Sequence, residues 1–112
     1  MSDTVVLFAL PIRPGHEDEV FDFAQSLTAN PATPDALAEE DITIESVFID
    51  RSSQPAKLWV YQRLPDAERA HESLMKSTNP INVEMRRLMT TAFDAPVIRE
   101  LVFDYVRDRR PA

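Results

Sequence analysis

Apolar positions recur along this chain with two different periods, and the switches between them mark out its elements. Thr4 to Ile12 is almost continuously apolar, which predicts a central strand buried on both faces, closed by Pro11 and Pro14. Gly15 and the acids Glu17, Asp18 and Glu19 then open a helix over about 16–28, with Val20, Phe23, Ala24 and Leu27 at helical spacing. Thr33 reads as an N-cap before Pro34, starting a short helix through Ala36, Leu37 and Glu40.

From Ile42 to Leu64 the period becomes two. Ile42, Ile44, Ser46 and Phe48 fall on one face of a strand and Thr43, Glu45, Val47 and Ile49 on the other. After a polar turn at Ser52, Ser53, Gln54 and Pro55, Leu58 and Val60 oppose Trp59 and Tyr61 in a second strand. Both faces of this hairpin carry apolar side chains, yet the chain is too short to lay helices on each, so a second subunit is the economical cover.

Pro65 and Asp66 open the next helix, in which Ala67, Ala70, His71 and Leu74 share a face. Ser77, Thr78 and Asn79 break it, and Pro80 starts another with Ile81, Met85, Leu88 and Ala92 on one side. Val97 to Val106 reads as a last strand. Strand, helix, strand, strand, helix, strand is the split βαβ order of an α+β ferredoxin-like βαββαβ sandwich with an antiparallel sheet, whose first and third strands are central. The expectation is one domain over 1–112, with 106–112 a loose C-terminal tail.

Composition narrows the function. A net charge of −7 argues against nucleic acid and against anionic membrane surfaces, so neither is expected as a partner. Arg86 with Arg87 reads as a solvated helix face. There is no cysteine, which removes disulfides, thiolate metal sites and thiol nucleophiles, and the first strand lacks the features of a secretion signal; a cytoplasmic protein is expected. The single glycine leaves no phosphate-cradling loop. Two histidines 55 positions apart, His16 and His71, give no metal-ligand spacing, so neither metal nor cofactor is expected.

The segments RPGHEDEVFDF, ESVFID and AERAHESLMKSTNPIN resemble the dimeric α+β barrel superfamily, and within it an uncharacterised family of about 100-residue proteins related to antibiotic-biosynthesis-monooxygenase-like proteins. The resemblance covers nearly the whole chain. It implies a homodimer formed through the open sheet face, closing a dimeric α+β barrel, and a cavity between sheet and helices in each subunit. The superfamily holds cofactor-free monooxygenases, haem-degrading enzymes and ligand-sensing domains. This sequence departs from the Asn, Trp and His set of the haem-degrading branch, because Val5 to Leu10 contains no Asn and Trp59 stands on a strand.

The candidate residues follow from placement. His71 on an apolar helix face is a candidate catalytic base, against a histidine satisfied by one hydrogen bond. Glu45, mid-strand among apolar neighbours, is a second, against a cross-strand pair with Arg63. Trp59 and Tyr61 would stack a planar ligand, or else fill core or interface. Asn79 would bind a ligand, or else cap the helix at Pro80. His16 reads as a surface residue among acids. The reading is a small homodimeric protein that holds a small, partly apolar molecule between sheet and helices. Either it is a cofactor-independent oxygenase or isomerase, or a non-catalytic dimeric sensor or interaction module.

Overall fold

A computed structural model describes residues 3–107, so of the expected C-terminal tail residues 108–112 lie outside the described residues. The elements are β1 (Thr4–Pro11), α1 (Glu17–Ser26), α2 (Thr33–Glu39), β2 (Ile44–Asp50), β3 (Lys57–Leu64), α3 (Ala67–Lys76), α4 (Pro80–Thr91) and β4 (Val97–Ile98). The sheet is antiparallel with order β2-β3-β1-β4, which puts the first and third strands in the middle as expected of a ferredoxin-like sandwich.

Register fixes what each face carries. Glu45 lies beside Gln62 and Gln62 beside Val6; Val47, Val60, Phe8 and Ile98 form the next row, and Ile49, Leu58 and Leu10 the one after. This is the face the helices cover. The opposite face carries Ile44, Arg63 and Val5, then Ser46, Tyr61 and Leu7, then Phe48, Trp59, Ala9 and Val97. Among the described residues no helix lies on it, and the sheet is open there.

The main core lies where α1 and α4 meet the sheet, around Leu10, Ile12, Val20, Phe21, Leu58, Val60, Leu88 and Phe93. Each such side chain contributes on the order of 1.5–3 kcal/mol by leaving water. A smaller cluster of Ile42, Leu64 and Ala70 ties the hairpin to α3. Gly15 allows the turn into α1 because its φ of +92° is disfavoured for any residue with a Cβ.

Three expectations are corrected. Thr33 is the first residue of α2, not its N-cap; its hydroxyl donates to the Leu27 carbonyl and Ala32 takes the cap position. Arg86 does not belong to a solvated face, since its guanidinium donates to the carbonyls of Leu74 and Ser77 and closes the end of α3. The last strand is short. Its ladder against β1 covers only Val97 and Ile98, with one further bond from Arg99 N to the Leu7 carbonyl. Because Ile98 stands opposite Phe8, continued pairing would use up β1, which begins at Thr4, before Phe103 found a partner. Leu101, Val102, Phe103 and Tyr105 are exposed.

Candidate functional site

The space between the sheet and the helices is not filled. A cavity of about 580 Å3 opens there, walled by Val6, Phe8, Leu10, Val47 and Val60 from the sheet and by residues of all four helices. Its wall is mainly apolar, and its polar members are Arg13, Thr33, Glu40, Glu45, Gln62, His71, Asn82 and Asp94, of which Glu40, Glu45 and Gln62 stand together at one end.

Glu45 stands on this wall because strand alternation turns it to the helix face. Gln62, its register partner, donates from Nε2 to Glu45 Oε1 at 2.6 Å. The expected pair with Arg63 does not form. Arg63 lies beside Ile44, one residue along, and its guanidinium points to the open face, where Tyr61 Oη accepts from Nε and Asp104 from both terminal nitrogens. Burial raises the Glu45 carboxyl above the usual carboxylate range, and the Gln62 hydrogen bond partly opposes it.

Glu40, at the C-cap of α2, is the residue that sequence reasoning passed over. Burial, with the charges of Glu45 and Glu39 beside it, pushes its carboxyl up to about 7. Three acids in a row, Glu39, Glu40 and Asp41, crowd the end of a helix, where the macrodipole favours cations; that misplacement was the available signal. Among the described residues, no lysine or arginine forms an ion pair with Glu40 or Glu45. Asp41 and Glu39 have other partners: Arg69 at 3.6 Å, and the Ser77 hydroxyl at 2.8 Å.

His71 lines the same cavity together with Ala67, Ala70 and Leu74, the face expected for α3, but it is exposed and stands at the rim. Trp59 and Tyr61 lie elsewhere. They sit on the open face, so the sheet itself separates them from His71 and Glu45. The Trp59 indole donates to Asp50 Oδ2 at 3.4 Å and the Arg99 guanidinium lies 5.2 Å from its ring centre. Asn79 is the N-cap of α4: its Oδ1 accepts from Ile81 N at 2.9 Å, while its Nδ2 donates to the Ala32 carbonyl at 3.1 Å. His16 bonds through Nδ1 to Glu19 on the protein surface. Among the described residues no three His, Asp or Glu side chains gather as a metal ion would require. No helix among them is long and apolar enough to cross a membrane.

The arrangement can therefore do two things chemically. It can take up an apolar body of modest size, and it can exchange protons or hydrogen bonds with it through two carboxyl groups that titrate above their ordinary range.

Residues 4–109 match a family of unknown function, DUF6176. No curated protein matches the chain. Among solved structures, the PA3566 protein of Pseudomonas aeruginosa is similar with a TM-score of 0.62 and 12% identity over 94% of this chain and 97% of that one. The NE2512 protein of Nitrosomonas europaea, of unknown function, has a TM-score of 0.57 and 22% identity over 100% and 97%. A Bacteroides fragilis protein described as dimeric, of unknown function and ferredoxin-like fold, has a TM-score of 0.52 and 15% identity over 88% and 95%. At these identities the likeness is one of fold, and it bears out the ferredoxin-like architecture, while the uncharacterised family rests on the family match over residues 4–109. None of these descriptions names a monooxygenase.

Proposed function

The chain belongs to DUF6176, a family of unknown function, and we propose that on its ferredoxin-like scaffold it binds a small, partly apolar molecule between sheet and helices. The observation that carries this reading is the cavity itself. Its volume of about 580 Å3 falls within the roughly 300–1,000 Å3 usual for small-molecule sites. An apolar wall with polar groups at one end is the usual lining of such sites, since burial supplies affinity and a few hydrogen bonds supply orientation. Glu45 and Glu40 are the groups in this reading that would move a proton, with His71 at the rim. Such a pair suits cofactor-independent isomerisation or oxygenation of an acidic carbon.

The same reading makes the protein a homodimer through the open sheet face. Leu7, Ile44, Phe48 and Val97 are exposed on that face, and a row of apolar side chains facing water favours a covering partner. Trp59 and Tyr61 then belong to the interface and not to the ligand, which is what favours the second reading, a dimeric module without catalysis. Sedimentation at micromolar concentration checks the dimer. A mass of 12.8 kDa contradicts it.

The ligand reading is tested by protein-observed NMR with a panel of small aromatic and aliphatic compounds. Shifts confined to Val6, Phe8, Val60 and the α3 face around His71 support it. Compounds that perturb only Trp59 and Tyr61 on the open face, or nothing, contradict it.

A further inference from the structure

We propose that the molecule this cavity takes is an amphipathic organic amine, its ammonium group held by the carboxylates of Glu40 and Glu45 and its apolar body lying along Val6, Phe8 and Val60. This rests on the reading of the cavity as a small-molecule site and adds the chemical class of the occupant.

The cavity is the primary observation, and the state of its polar end decides the class. Two carboxyl groups come to it from different elements, Glu40 from the end of α2 and Glu45 from the middle of β2. Among the described residues only one neutral donor answers them, the Gln62 amide on Glu45 Oε1. The cation that borders the cavity, Arg13, is already engaged with Asp94 at 3.2 Å and with the Thr90 carbonyl at 3.0 Å. An apolar wall with acids and, among the described residues, no lysine or arginine paired with them is short of one positive charge.

Each class of ligand meets a different fate there. An anion would be repelled by Glu39, Glu40 and Glu45 together. A neutral apolar molecule would fill the volume but leave the carboxyl oxygens without donors. A protonated amine supplies up to three N–H donors and the missing charge at once. The protein's overall charge of −7 draws cations toward it in the same sense. The raised titration of both carboxyls has the same origin, burial with no compensating cation, so a bound ammonium would lower both.

The other groups to weigh here are Gln62 on β3, His71 on α3 and Asn82 on α4 in the wall, and Glu39 and Asp41, which flank Glu40 in the chain and bond to Ser77 and Arg69. The Asn82 amide is engaged with Ser77 Oγ at 3.2 Å. Burial and the neighbouring acids push the Glu40 carboxyl up to about 7. Amine binding should therefore strengthen as pH rises through that value, while the amine itself is still protonated.

Benzylamine, benzyl alcohol and benzoate share one apolar body and differ only in the head group, and their affinities for the full chain can be read from NMR titrations. At about pH 8 benzylamine is expected to bind at least about tenfold tighter than benzyl alcohol, with benzoate weakest, and to lose about tenfold between pH 8 and pH 5.5 in the unmutated protein. Glu40→Gln and Glu45→Gln are each expected to remove most of the preference for benzylamine over benzyl alcohol. If benzyl alcohol or benzoate binds as tightly as benzylamine, with shifts at Val60 and His71, the amine class is overturned and the cavity reading stands. If benzylamine affinity does not change with pH in the unmutated protein, the carboxylates do not hold it and the inference also falls. If none of the three shifts the cavity residues, both readings are overturned.

Discussion

Gln62 donates from its side-chain amide to Glu45 Oε1 at 2.6 Å across the β2–β3 ladder, on the sheet face that looks into the cavity. The bond holds one carboxyl oxygen against the sheet and stabilises the ionised form, though less than burial destabilises it. Replacing Gln62 with Leu keeps the volume and removes the donor. The Glu45 carboxyl should then titrate higher than in the unmutated protein, as followed by carbon-detected NMR of the side chain. An unchanged or lower value would mean that the bond does not govern this group.

Stability should depend on pH through Glu40. Its folded pKa of about 7 lies above the ordinary 4.5, so between those values the native state holds a proton that the unfolded chain has released. Stability is accordingly lost as pH rises from about 4.5 through about 7, and Glu40→Gln should remove that loss. With solvent screening of a half-buried group, the variant should be more stable than the unmutated protein by on the order of 1–2 kcal/mol at about pH 8, and nearly equal to it at about pH 4. Urea denaturation at the two pH values measures this. Equal stability at both would contradict it.

Asn79 should behave as a structural residue. Asn79→Ala removes the cap on Ile81 N and the bond to the Ala32 carbonyl, a loss of about 1–3 kcal/mol in unfolding free energy. The affinity of a cavity probe should be unchanged at temperatures where the variant is folded. A loss of affinity with stability intact would return Asn79 to the ligand set.

Asp104 meets the Arg63 guanidinium on the open face and fastens the segment beyond β4 to the sheet. The Arg63 side chain is buried there, so Asp104→Asn leaves a buried cation without its full counter-charge. The segment should loosen, and trypsin should cut after Arg99 faster than in the unmutated chain. Cleavage at an unchanged rate would show that other contacts hold it.

The order of elements could be read from the chain because each rests on local signals. β1 and β3 are apolar on both faces, as central strands must be, and Asp66 and Asn79 announce the starts of α3 and α4 with cap side chains that do accept the expected bonds. The α3 face of Ala67, Ala70, His71 and Leu74 was legible for the same reason: helical spacing alone brings those residues together. What failed depended on partners distant in sequence. A one-residue difference in hairpin register decides whether Glu45 meets Gln62 or Arg63, and the turn at 51–56 does not set it. Trp59 and Tyr61 were grouped with His71 and Glu45, yet alternation against Leu58 and Val60 puts them on the other side of the sheet. β4 reads as ten residues by pattern, but its ladder covers only Val97 and Ile98, and β1, which begins at Thr4, has room for no partner beyond Val102. Glu40 is marked in the sequence only by its place among three acids at a helix end, and its buried environment exists only once α2 and β2 have packed.

The most direct measurement is the titration of the Glu40 carboxyl in the ligand-free protein by side-chain NMR. A midpoint of about 7 is predicted, as burial in a cavity shared with Glu45 requires. A midpoint at the ordinary 4.5 would mean that water solvates Glu40 freely, and that the polar end of the cavity is not the desolvated acidic site described above.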